Sequence, residues 1–124
     1  GYAIVDQVKQ HMIGTIDFHT SQSDGSKEIG FALHKDYWNQ GIMSHTLMYL
    51  IDLGFEHFQY PKLRIRHMVD NIASERVIKK TPFHYIDESP YLVKKNKERH
   101  VVMLKNYVLT RKEYHEYKQS QRDL

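Results

Sequence analysis

Hydrophobic and polar positions change period several times along this chain. From Tyr2 to Asp6 and from Met12 to His19, β-branched and apolar residues alternate with polar ones, which predicts two strands joined by a turn over "QVKQH". Ser21–Lys27, "SQSDGSK", is polar with one Gly and reads as a loop. Glu28–His34 predicts a third strand, with Ile29, Phe31 and Leu33 on one face and Gly30, Ala32 and His34 on the other. The period then lengthens. Met43, Leu47, Leu50, Ile51, Gly54 and Phe58, with Phe55 beside them, form one stripe, while His45, Tyr49, Asp52 and Glu56 oppose it. That is a helix laid on a sheet. Pro61–Val69 alternates again and predicts a strand. Asp70–Pro82 carries helix punctuation: Asp70 or Asn71 as cap, Glu75 in the first turn, two lysines in the last, and Pro82 as stop. Phe83–Asp87 and Tyr91–Lys95 are short strands, Lys95–Arg99 a turn, His100–Leu109 a long strand, and Thr110–Leu124 a polar helix with a frayed end.

Strand–helix–strand over Glu28–Val69 predicts a right-handed crossover between parallel strands, preceded by a meander. The expected class is α/β (α+β): a mixed, largely antiparallel twisted sheet with helices on both faces. The 124 residues suffice for one domain, 1–124. The absence of cysteine excludes disulfides and thiolate metal sites and fits a reduced, cytoplasmic setting. No apolar run approaches the length of a membrane span, and no signal peptide is visible, so no membrane association is expected. Gly1 stands where an initiator Met would be, so upstream sequence is left open. The formal charge of +3 leans toward anionic partners. The polar tail reads as a solvated helix, so nucleic acid is not the expected partner. Nine histidines are scattered without metal-ligand spacing, and no metal is expected.

The turn before the long helix carries the chemistry. A helix start holds unpaired N–H groups and partial positive charge, and Gly41 permits close approach there, so strand–Gly–helix describes an anion site. No Gly-Lys-Ser/Thr follows, and two of the three dinucleotide glycines are missing, so the phosphate loop is of another kind.

Taken together, "EIGFALHKDYWNQGIMS" and "DNIASERVIKKTPF" resemble the core of the GNAT acetyltransferase superfamily, most closely its ribosomal-protein N-terminal acetyltransferase branch. The resemblance implies a GNAT acyl-CoA acyltransferase fold, here without the strand and helices that usually precede the first hairpin, and acetyl-CoA as cosubstrate. It places the pyrophosphate on backbone N–H groups of Asn39, Gln40, Gly41, Ile42, Met43 and Ser44. Trp38 stands for the family's Gln/Arg, and Met43 for a small residue, where it is expected to crowd the turn. A side chain at position 41 is expected to clash. The strand Ala32, Leu33, His34 would pair with the pantetheine arm, with an N–H near Ala32 or Leu33 on the thioester carbonyl. Asn71, Arg76 and Lys79 would contact the cofactor. Ile78 occupies the family's Tyr acid position, leaving Ser74 as the acid, and Lys80-Thr81-Pro82-Phe83 replaces the usual Gly-containing helix exit. Glu28 would be the base that deprotonates an acceptor amine, a peptide N-terminus, polyamine or other small amine. The alternative is a non-catalytic acyl-CoA-binding or oligomerisation domain of the same fold. Ile4, Ile13, Ile16 and Phe18 are expected to lack cover within the chain, which favours a homodimer or a separate partner completing the acceptor pocket.

Overall fold

The computed structural model describes residues 2–19 and 23–123; Ser21 and Gln22 of the expected polar loop lie outside them. Strands β1 (Tyr2–Asp6), β2 (His11–His19) and β3 (Lys27–Leu33) form an antiparallel meander. A single 3-10 turn (Lys35–Tyr37) leads to helix α1 (Ile42–Asp52), which widens into a π turn over Leu53–His57. Strand β4 (Lys62–Met68), helix α2 (Ile72–Lys79), strands β5 (His84–Lys95) and β6 (Glu98–Thr110) and helix α3 (Arg111–Arg122) follow. The sheet order is β1-β2-β3-β4-β6-β5, and among the described residues β3–β4 is the one parallel pair.

The expected short strands at Phe83–Asp87 and Tyr91–Lys95 are one strand, β5, with a bulge between Tyr85 and Asp87. Pro90 does not interrupt it because β5 is an edge strand, where no neighbour needs its missing N–H. The turn tightens to Asn96-Lys97, both at positive φ (52° and 67°), as a two-residue hairpin requires.

One core holds the molecule together. Ile16, Ile29, Leu63, Ile65, Tyr107 and Leu109 project from one face of the sheet and meet Met43, Leu47, Leu50, Ile51 and Phe55 of the first helix and its π turn, Ile78 of α2 and Tyr114 of α3. The predicted stripe is buried as far as Phe55. Phe58 falls off it, 41% exposed, and packs edge-on to Phe18 and stacked on Tyr60. Gly54 is the crossing point with β2: a Cβ there would lie 3.1 Å from the Phe18 ring.

Two expectations are corrected. The mixed, largely antiparallel sheet is as expected, but among the described residues all three α-helices feed the core on one face rather than both. The physical reason lies in the alternation: the other face carries Asp17, His19, Glu28, Arg64 and Arg66, which no helix stripe can cover cheaply. Nor do the hairpin's apolar residues lack cover. Ile13 and Ile16 are buried, and Ile4 and Phe18 pack against the core.

Candidate active site

Strands β3 and β4 pair over two rungs only, Lys27–Leu63 and Glu28–Arg64, and then part. His34 N–H donates to the Ile13 carbonyl at 2.7 Å, which fixes the phase of the antiparallel ladder between β2 and β3. Bonded and non-bonded rungs alternate. Ala32, opposite Thr15, therefore spends its N–H and carbonyl on β2, while Phe31 and Leu33, opposite Ile16 and Gly14, turn theirs toward the gap that β4 leaves. Of the two expected thioester donors, Leu33 faces the gap and Ala32 does not; Phe31 joins Leu33.

The gap opens into a cleft of about 500 Å³ lined by Phe31–Leu33, by Tyr37–Ser44 and by residues of α2 from Asn71 to Lys80. At its floor stands the start of α1. Gly41 is the N-cap, in the left-handed region at φ 75°, and no side chain caps the helix. His45 N–H bonds to the Gly41 carbonyl, so Ile42, Met43 and Ser44 N–H are the first-turn donors without an i−4 partner. The other two helices are capped: Asn71 Oδ1 accepts from Ser74 N–H at 3.1 Å, and Thr110 and Glu113 form a reciprocal capping box. An uncapped helix start facing a cleft is suited to an anion.

Local chemistry shapes that loop. Asn39 takes φ 61°, a left-handed geometry that Asn tolerates better than most residues. Tyr37 O–H donates to Asp6 Oδ2 at 2.8 Å, Trp38 Nε1–H to the Leu33 carbonyl at 2.8 Å, and Gln40 Nε2–H to the Asp36 carbonyl at 3.1 Å. The Tyr37 bond holds Asp6 below the usual carboxylate range and Tyr37 above the usual phenol range. A Cβ at Gly41 would meet no atom within 4 Å, so the expected clash is absent; glycine is wanted there for its φ and for the open approach. Met43 does not crowd the turn either, because its side chain is 5% exposed, in the core, and leaves only its backbone toward the cleft.

On the other wall, Asn71, Ser74, Arg76 and Lys79 line the cleft, together with Lys80. Lys79 also pairs with Glu75 at 3.2 Å. Glu75 is held below its ordinary value by Lys79 and Lys105. Ile78 points into the core, fully buried. With Pro82 in place of Gly, α2 ends right-handed at Lys80 (φ −84°), and Thr81 Oγ1–H satisfies the Ile78 carbonyl at 2.6 Å.

Two expected site residues are not brought to the cleft. His34 turns to the opposite side of the strand, lining a neighbouring recess with Asp6, His11 and Asp36. Glu28 sits at the fork of β3 and β4, buried, with Oε1 2.7 Å from Arg66 Nε and 4.0 Å from Arg64, and Oε2 3.5 Å from His19 Nδ1. Sequence reasoning missed Phe31, the Asp6–Tyr37 tie and the Glu28–Arg66 pair. The alternation of Arg64 and Arg66 on one face of β4 was a visible signal for the last; the parallel register that sets them beside Glu28 was not. Among the described residues no cluster of His, Asp or Glu could hold a metal, and no helix is long and apolar enough to cross a membrane.

Residues 1–84 match the acetyltransferase (GNAT) domain family, and the chain belongs to it. It is 26% identical over 83 residues to an uncharacterized N-acetyltransferase p20 from Bacillus licheniformis, covering 66% of this chain and 47% of that protein. The chain spans less than half the length of the curated relatives it matches. Its fold is similar to that of a ribosomal-protein-S5-alanine acetyltransferase from Vibrio fischeri (TM-score 0.73, 20% identity, covering 84% of this chain and 58% of that one). It is also similar to mutant forms of the spermidine/spermine N-acetyltransferase SpeG from Vibrio cholerae (TM-score 0.77, 13% identity, covering 93% and 68%).

Proposed function

We propose that this chain is the acetyl-CoA-binding and acetyl-transferring part of an N-acetyltransferase acting on a primary amine. The observation that carries the reading is the coincidence in one cleft of two backbone segments whose N–H groups β4 and side-chain caps leave open: the start of α1 and the β3 edge at Phe31 and Leu33. The first suits a pyrophosphate, and Arg76, Lys79 and Lys80 add positive charge along the cleft. The second suits an extended amide-bearing arm, which completes a sheet edge as a strand would. Acetyl-CoA, when bound, supplies an activated acetyl group. Phe31 or Leu33 N–H then holds the acetyl oxygen where negative charge develops. Ser74, in the first turn of α2, faces the same cleft and is placed to return a proton to the departing sulfur. The acceptor class is a peptide N-terminus, a polyamine or another small amine, which the names of the relatives and neighbours support, and the loop around Trp38 favours the ribosomal-protein branch.

Calorimetric titration with acetyl-CoA, alongside turnover assays with spermidine and with an alanine-initiated peptide, tests this. Binding on the order of 1 μM to 1 mM, the usual range of substrate affinity, is expected, with acetylation of one of the two amines. No heat of binding up to millimolar acetyl-CoA would overturn it. Binding without turnover of either amine would favour the non-catalytic acyl-CoA-binding alternative.

A further inference from the structure

Strands β5 and β6 outrun the rest of the sheet. The last rung of β4 sets Met68 opposite Leu104, and Val69 N–H donates to the Met103 carbonyl at 3.0 Å. From Pro90 to Met103 the two strands continue alone as an arm, closed by the Asn96-Lys97 turn. The arm is apolar on both faces. Leu92, Val101 and Met103 lie on the side of the sheet that carries the helices, and Tyr91, Val93 and Val102 lie on the other. Leu92 and Val101 are 56% and 63% exposed. A two-stranded ribbon with such faces is marginal in water by itself.

The outer edge of β5 can be read rung by rung. The Met103 carbonyl points to β4, so Met103 and its partner Pro90 form a non-bonded rung, and Pro90 turns its backbone outward. Glu88, Leu92 and Lys94 share that phase and turn outward with it. Each offers an N–H and a carbonyl along the edge, while Pro90 offers its carbonyl only. The charges are segregated along the strand: Asp87 and Glu88 come before Pro90, Lys94 and Lys95 after Val93. None of these four has an ion-pair partner among the described residues. Asp87 accepts from Asn106 Nδ2 at 2.9 Å, and Lys105, across from Glu88, is engaged by Glu75 at 3.3 Å.

We infer that β5 pairs antiparallel with β5 of a second copy of this chain, about a two-fold axis at Tyr91. In that register Asp87 lies opposite Lys95 of the second copy and Glu88 opposite its Lys94. Both pairs recur across the axis, because a two-fold interface uses the same patch twice. Glu88 and Lys94 meet in rungs that make both backbone bonds, and Pro90 and Leu92 in rungs that make one. Tyr91 meets its counterpart across a non-bonded rung. Opposed residues share a face, so the helices of both copies stay on one side, and each arm gains the other's strands as neighbours. Lysine and proline on an edge ordinarily discourage pairing. Here they select the register. A shift by two residues either sets Pro90 opposite itself, where neither bond forms, or sets Lys94 and Lys95 opposite Pro90 and Ser89, away from the acids. None of these residues lines the cleft.

Sedimentation equilibrium of the wild-type chain at micromolar concentration is expected to give twice the chain mass. A monomer throughout the micromolar range would overturn the proposal. The double variants Lys94→Glu/Lys95→Glu and Asp87→Lys/Glu88→Lys each set like charges opposite one another, and each is expected to raise the dimer Kd by roughly 100-fold. Mixed in equal amounts, the two are complementary again, and a heterodimer is expected. A dimer that survives either reversal would overturn the proposal, as would a mixture that stays monomeric while circular dichroism shows both variants folded. Tyr91→Cys reads the register independently of charge. The chain has no cysteine of its own, and a non-bonded antiparallel rung brings Cα atoms to about 4.5 Å, within disulfide reach. Mild oxidation is expected to yield a disulfide-linked dimer of Tyr91→Cys and none of Val101→Cys, which lies on β6. Absence of the link in the first, or equal linking in the second, would overturn the axis at Tyr91.

Discussion

Asn39 and Gly41 take the loop before α1 through two left-handed conformations, φ 61° and 75°, separated by one residue. That geometry sets what each position tolerates. Any L-residue with a Cβ pays about 1–2 kcal/mol in the left-handed region, while Asn pays less because its short amide bonds locally. Gly41→Ala is therefore expected to weaken acetyl-CoA binding by about tenfold, the equivalent of 1.4 kcal/mol. Gly41→Asn should be milder. Calorimetry on the two variants checks the order; equal affinities for wild type and Gly41→Ala would show that the loop geometry is irrelevant to the ligand. At the same scale, Glu28 is buried at the fork of β3 and β4, with Oε1 2.7 Å from Arg66 Nε, and does not line the cleft.

Helix ends differ by what each must do. Helices α2 and α3 are closed by Asn71 and by the Thr110–Glu113 capping box, and α3 is fastened to the rest through Tyr114. Tyr114 is fully buried, stacks on Phe55 with centroids 4.7 Å apart, and donates to Asp52 Oδ1 at 2.6 Å. Burial and Asp52 together push its hydroxyl well above the usual phenol range. Tyr114→Phe keeps the stack and removes the bond. It should cost about 1–2 kcal/mol, a hydrogen bond to a charged group offset partly by the Lys118–Asp52 pair at 3.3 Å that remains. Equilibrium urea unfolding measures it, and a loss of more than about 4 kcal/mol would mean that the hydroxyl supports more of the core than this one contact. Helix α1 alone of the three lacks a side-chain cap, which is the local cost of keeping its first N–H groups open to the cleft.

At the scale of the molecule, ion pairs shape how stability depends on pH. Asp24 is held far below the usual carboxylate range by Lys62 and Ser26, Asp6 is lowered by Tyr37, and Glu75 by Lys79 and Lys105. The folded state thus binds fewer protons than the unfolded chain near the ordinary carboxylate values. The stabilisation is complete above about pH 5 and is lost as pH falls through the lowered values. Lys105, Tyr107 and Tyr114 are raised, so their contribution is complete below about pH 10 and is lost as pH rises through the folded values. The urea midpoint is expected to be flat from about pH 5 to 9 and to fall on both sides. In Lys62→Met the acid-side fall should be shallower; an unchanged profile would show that Asp24 contributes nothing to it.

Period and punctuation by themselves determined a good deal. The period-2 runs located the strands, the Met43–Phe55 stripe located the helix and its buried face, and Gly41 marked the helix start that lines the cleft. Arg76 and Lys79 were legible as neighbours from helical spacing, while Asn71 and Ser74 came from the family resemblance. Tertiary structure decided what depends on neighbours distant in sequence. Parallel register set Glu28 among Arg64 and Arg66, antiparallel phase gave Leu33 to the cleft and Ala32 to β2, and a glycine at position 30 made room for His19. None of these is encoded by local periodicity, because alternation specifies which face a side chain takes but not which strand lies beside it or where two strands part.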